Sequence, residues 1–162
     1  MLDNDSAVKC ELAVEVLRSF GTLRFAATGW SMLPSVWPGE TLVVERVGQD
    51  EVRIGDIVLV GRESRLCAHR VIAKEEDSEN PRWITQGDAL PVPDRPVARN
   101  EVLGRVTYLI RAGKLTPVPS ELSVIDTLIA KVVQRSGSAA RALVYLNRKR
   151  QTSKEAVLPC QG

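Results

Sequence analysis

Apolar and polar positions alternate with two different periods along this chain. Near the start, Ala13, Val16, Leu17 and Phe20 recur at helical spacing, while Glu11, Glu15 and Arg18 occupy the opposite face. That pattern predicts a helix over about 6–20, stopped by Gly21. From 23 to about 118 the period shortens. Leu23–Thr28, Thr41–Arg46, Ile57–Gly61, Leu66–Ala73, Arg82–Gln86 and Val102–Leu109 are rich in Val, Ile, Leu and Thr, and each reads as a strand. Pro38-Gly39, Gly48-Gln49-Asp50 and Gly55-Asp56 punctuate them as turns. The charged segment Lys74–Pro81 reads as an exposed hairpin tip. Pro117-Val118-Pro119 marks a boundary. Beyond it, Ser123-Val124-Ile125-Asp126 has the form of a capping box, and Leu122, Ile125, Leu128, Ile129 and Val132 form a second helical stripe. Ser136-Gly137-Ser138 interrupts it, 139–150 reads as another helix, and 151–162 as a loose tail.

The predicted architecture is therefore mainly β. An N-terminal helix (1–21) precedes a coiled antiparallel β domain (22–119), and two amphipathic helices with a tail follow (120–162). With 162 residues and 44% hydrophobic side chains, the chain can build one ordinary core. A net charge of +2 gives no reason to expect a nucleic-acid partner. Three widely spaced cysteines (Cys10, Cys67, Cys160) argue against a disulfide framework and fit a reducing compartment. With one histidine, the sequence offers no zinc-ligand spacing, and no cofactor is expected. No apolar run reaches the roughly 18–20 residues that span a bilayer, and Asp3, Asp5, Lys9 and Glu11 break any signal-peptide pattern. The expectation is a cytoplasmic protein, peripheral to a membrane at most.

Candidate chemistry sits at three places. Ser31 lies on a turn, Gly29-Trp30-Ser31-Met32-Leu33-Pro34, directly after a predicted strand. His69 follows in Cys67-Ala68-His69-Arg70-Val71-Ile72, and two carboxylates follow it, Asp88 in Gln86-Gly87-Asp88 and Asp94 in Pro93-Asp94-Arg95. A serine hydroxyl needs a base to take its proton, and imidazole exchanges protons near neutral pH. A carboxylate on the far ring nitrogen would fix the tautomer. Taken singly, each residue has a plainer reading: a turn serine, a structural histidine, a turn aspartate. Lys74 is the runner-up base, in a charged segment where it would be solvated.

In their order the blocks resemble the superfamily of type I signal peptidases and LexA-like serine peptidases. Gly-x-Ser-Met-x-Pro, Pro38-Gly39-Glu40, Gly55-Asp56-Ile57-Val58, His69-Arg70-Val71-Ile72, Gln86-Gly87-Asp88 with Asp94, and Gly104-Arg105-Val106 cover about half of the chain. The resemblance implies a signal-peptidase-like endopeptidase in which Ser31 is the nucleophile and His69 the base. Asp94 would be the acid that orients His69, with Asp88 a supporting acid. Most bacterial members carry lysine where His69 stands, so the likeness is to the serine-histidine-aspartate type. Gly29 stands where signal peptidases carry a serine that donates to the oxyanion, which leaves that role to the backbone N–H groups of Trp30 and Ser31. The implied substrate is an extended segment of a precursor protein or leader peptide, paired with a strand edge and cut after a small residue.

Two other readings come from different classes. A non-catalytic peptide-binding module on the same fold would have no need of all three site residues. A membrane-peripheral adaptor would use the basic helices for contact with an anionic membrane through 120–154. The plainer reading is that the stripe packs on the β domain and its charges are solvated. A self-cleaving repressor is disfavoured, because about 20 residues before the first strand are too few for a helix-turn-helix. Trp30 and Trp37 flank Ser31, and could line a substrate groove or simply cover the core. Met32 and Pro34 read as packing and turn residues, and Arg70 as structural.

Overall fold

The computed structural model describes residues 2–75, 81–136, 141–145 and 147. Helix α1 runs Leu2–Phe20, one turn earlier at its start than the periodicity alone predicts. It ends as expected: Gly21, at φ 72°, donates its N–H to the Leu17 carbonyl. Seven strands follow, β1 (Thr22–Ala26), β2 (Thr41–Glu45), β3 (Ile57–Arg62), β4 (Arg65–Glu75), β5 (Arg82–Gln86), β6 (Val102–Arg111) and β7 (Lys114–Pro117). Helix α2 spans Val124–Arg135.

The strands form one mostly antiparallel open sheet in the order β1-β2-β6-β3-β4-β5, with β7 also paired to β6. Long β6 receives β2 along Arg105–Ile110 on one side. On the other it receives β3 near its start and β7 near its end. β6 carries an extra residue at two places, Thr107 opposite Val43/Val44 of β2 and Leu103 opposite Leu59/Val60 of β3, and these bulges bend the sheet.

Four consecutive β3 residues, Ile57, Val58, Leu59 and Val60, are buried, so apolar alternation fails there for a physical reason. Ile57 and Leu59 enter a core with Leu42, Val106, Leu109 and Leu17 of α1. Val58 and Val60 enter a second core with Val71, Trp83 and Val97. A central strand covered on both faces has no polar side to show. Burying Leu17 holds α1 across the sheet and contributes about 1.5–3 kcal/mol.

Two hairpins escape sequence rules. Glu63 and Ser64 both have positive φ (50° and 61°) between β3 and β4, a two-residue turn without the expected glycine. Ala112 and Gly113 do the same (46° and 74°) between β6 and β7. The Ser123 cap is present: its hydroxyl accepts from the Asp126 N–H, and also donates to the Asp126 carboxylate. Most of the expected tip Lys74–Pro81, much of the second C-terminal helix and the tail 151–162 lie outside the described residues; 141–145 and 147 are helical. Among the described residues, no helix is long and apolar enough to cross a membrane.

Candidate active site

After β1 the chain stays extended for two residues, bonded to the segment before β2 (Ala27 N–H to Glu40 O, 2.9 Å; Gly39 N–H to Ala27 O, 2.8 Å). It then tightens into a turn closed by Leu33 N–H to Trp30 O and Val36 N–H to Met32 O. Met32 and Leu33 are buried in two different apolar clusters, which pins the turn from both sides. Ser31, immediately before them, stays partly open.

The Ser31 carbonyl is held from behind. Ala89 N–H donates to it at 2.8 Å, and Gly87 passes so close that a β-carbon there would lie 2.7 Å from the same oxygen. No side chain fits at that distance, so glycine is required for close approach. Gly87→Ala should therefore displace the Ser31 turn. We expect a stability loss of about 1–3 kcal/mol by thermal denaturation, and a larger proportional loss of Ser31 reactivity. Unchanged reactivity would mean that the 87–89 loop does not set the position of Ser31.

β4 presents His69 to this turn. Its Nε2 lies 3.1 Å from Ser31 Oγ, and its Nδ1 lies 2.6 Å from Asp94 Oδ2. The His69 side chain is nearly buried, at 9% exposure. Asp94 is placed by the segment that returns along β5, through Asp94 N–H to Thr85 O at 2.8 Å and the Trp83–Val97 bridge. The Thr85 hydroxyl donates to the same Oδ2 at 2.7 Å. Burial works to raise the Asp94 carboxyl, but hydrogen bonds from His69 and Thr85 and the nearby charge of His69 and Arg62 outweigh it, holding it below its ordinary value. An ionised carboxylate only accepts, so Nδ1 carries the ring hydrogen and donates it. In the neutral ring, Nε2 is then the acceptor that faces the Ser31 hydroxyl.

Asp88 has a different partner. Its two oxygens receive Arg70 Nε and Nη2, both at 2.9 Å, and the Ser35 hydroxyl also donates to Oδ2. Arg70 Nη1 reaches the carbonyls of Gly55, Pro119 and Ser120. Arg70 and Asp88 thus tie the Ser31 turn, the β3 entrance and the chain leading into α2 to one buried point. Lys74 lies exposed toward the far end of β4, in register with Trp83. Ser35 and Thr85 carried no sequence signal: both are short hydroxyl residues in unremarkable contexts, and only the fold brings them to the two carboxylates.

Among the described residues, neither the Trp30 nor the Ser31 N–H has a hydrogen-bond partner. Trp30 is 44% exposed, whereas Trp37 packs on the cluster of Leu33, Ala89 and Val133. A cavity of about 180 Å³ opens beside Ser31, and neither tryptophan lines it. One wall is the end of β1 and the residues after it (Phe25, Ala27, Thr28, Gly29), and the other is β4 (Leu66, Cys67, Ala68). Met32, Val36 and Leu42 also contribute to its lining. β5 pairs with β4 only from Arg70 onward, so the β4 backbone before it keeps an unpaired edge among the described residues. β1 pairs with β2 alone.

No family model, curated protein or solved structure matches this chain.

Proposed function

We propose that this chain is a serine endopeptidase of the signal-peptidase-like, serine-histidine-aspartate type. Its substrate is an extended segment of a precursor protein or leader peptide. The observation that carries the reading is the continuous chain Ser31 Oγ, His69 Nε2, His69 Nδ1 and Asp94 Oδ2, opening on a cavity between two strand edges. The antiparallel sheet, the helix before it and the order of the sequence blocks fit the same family.

In this reading, Ser31 Oγ attacks a peptide carbonyl carbon while its proton passes to His69 Nε2. Asp94 stabilises the imidazolium that forms. The carbonyl oxygen, now negative, meets the N–H groups of Trp30 and Ser31. The C–N bond then breaks and His69 gives its proton to the leaving amine. Water, activated by the same His69, releases the acyl group from Ser31. Asp88 acts at one remove, holding the 87–89 loop that supports Ser31.

The substrate would lie as an added strand against the open edge of β4, with the residue before the cut in the cavity. That space is only about 180 Å³, and its walls are mainly apolar. Peptides with alanine before the cut should be cleaved at least about tenfold faster than those with tryptophan, as measured by kcat/KM. A preference for the larger side chain would move the specificity pocket elsewhere. The test of the class itself is a fluorophosphonate probe with a peptide library. Labelling at Ser31 with cleavage, both lost in Ser31→Ala, is expected. Peptide binding without labelling would make the chain a binding module instead.

A further inference from the structure

Helix α2 has two apolar faces, and the Ser31 turn and the 88–90 loop cover one. Ala130 and Val133 are buried, and Val133 packs with Leu33 and Ala89, each within two residues of the Ser31 turn or Asp88. Gln134 Nε2 also donates to the carbonyls of Asp88 and Leu90, both at 3.2 Å. These contacts fix how the helix is rotated. They leave Val124, Ile125, Leu128 and Val132 outward, at 79%, 69%, 59% and 57% exposure. Their spacing of three and four residues makes them one continuous stripe rather than scattered side chains.

Exposed Lys131 and Arg135 border this stripe, and a groove of about 520 Å³ runs between them and Leu128 and Val132. The helical residues that follow add exposed Arg141 and Tyr145. The sequence from 127 to 154 contains seven Lys and Arg and no Asp or Glu. In the sequence the run is flanked by Asp126, which is bonded to the Ser123 cap at the helix start, and by Glu155.

We propose that this face of α2 docks on an anionic lipid surface. An apolar stripe alone would suit many partners; a stripe bordered by Lys131 and Arg135, in a run of sequence without acidic residues from 127 to 154, suits an anionic surface with an apolar interior. The aliphatic side chains enter the acyl boundary, and the lysine and arginine stems lie along it while their heads reach headgroup phosphates. Each cation near such a surface adds attraction that falls off within a Debye length, so binding is salt-sensitive. Because α2 is bonded to the 88–90 loop, docking also fixes which way the Ser31 cleft faces the bilayer. The inference stands apart from the chemistry at Ser31.

The experiment uses the full chain with vesicles of phosphatidylcholine, alone or mixed with phosphatidylglycerol. Co-sedimentation is measured at low and at physiological salt. Binding to the mixed vesicles, weak on pure phosphatidylcholine and reduced by salt, is expected. Lys131→Glu with Arg135→Glu should lower the partition coefficient about tenfold or more, and Leu128→Glu with Val132→Glu should abolish binding. All four residues are exposed, so thermal melting should hold in both variants and separates lost binding from lost fold. Three results overturn the proposal. One is no binding to anionic vesicles at low salt. Another is binding that survives Leu128→Glu with Val132→Glu, which would assign it to charge elsewhere in the chain. The third is a concentration-dependent dimer, in sedimentation without lipid, that the same pair of substitutions abolishes, which would make the stripe a contact between copies of this chain.

Discussion

Ser31→Ala should lower kcat/KM for a cleaved peptide by about four to six orders of magnitude, and His69→Ala by a similar factor. The double variant should be little worse than either. Non-additivity follows from the geometry: Nε2 of His69, 3.1 Å from Ser31 Oγ, has one proton to take, and it comes from that hydroxyl. Remove the hydroxyl and the imidazole has nothing to activate. Remove the imidazole and the hydroxyl keeps its proton. A residual rate above the uncatalysed one should remain in all three variants, because the Trp30 and Ser31 N–H donors belong to the backbone. Steady-state kinetics of the two single variants and the double variant, with thermal melting as a control for folding, measures the coupling. Effects that multiply would mean that Ser31 and His69 act in separate steps. Wild-type cleavage by Ser31→Ala would end the peptidase reading.

Much of the site was legible because its residues sit in blocks with strong local character. Ser31 stands on a turn flanked by strand patterns, and His69 is the one histidine in the chain. The choice between Asp88 and Asp94 was not legible in the residues themselves; only the family resemblance favoured Asp94. Both lie in turn-like contexts, and the difference is which side chain each meets across the sheet. Arg70, next to His69 on β4, takes Asp88, and His69 takes Asp94. In an extended strand, neighbours point to opposite sides, so adjacent residues reach carboxylates in different places. The fold was legible where apolar runs are long, as in β3 and β6. β7 was missed because it is short, exposed and ends in proline, and its turn is Ala112-Gly113 rather than a stronger pair. The two faces of α2 were visible as one stripe, since periodicity marks apolar positions without saying which of them the rest of the chain covers.

The division between the two carboxylates makes the last expectation a paired one. Asp94→Asn should cost about four orders of magnitude in turnover with a modest change in melting temperature. An amide in that place can no longer act as a pure acceptor, and the imidazole is free to take the wrong tautomer. Asp88→Asn should do the reverse. It leaves the Arg70 guanidinium, 8% exposed, without its counter-charge, and breaking such a buried pair costs about 3–5 kcal/mol. For a chain of this size that lowers the melting temperature by roughly 6–20 °C, while the molecules still folded at low temperature retain most of their turnover. The pH dependence adds a check with a definite sign. The Asp94 carboxyl is held below its ordinary value, so its ionised form stabilises the fold above the usual aspartate range near 4. That contribution is lost as pH falls through the lowered value, so any melting difference between the wild type and Asp94→Asn should shrink below about pH 4. A difference that persists undiminished into that range would assign the stability to packing rather than to charge. If Asp88→Asn abolished turnover at full stability while Asp94→Asn left it intact, the acid that orients His69 would be Asp88, and the Asp94 contact would be structural.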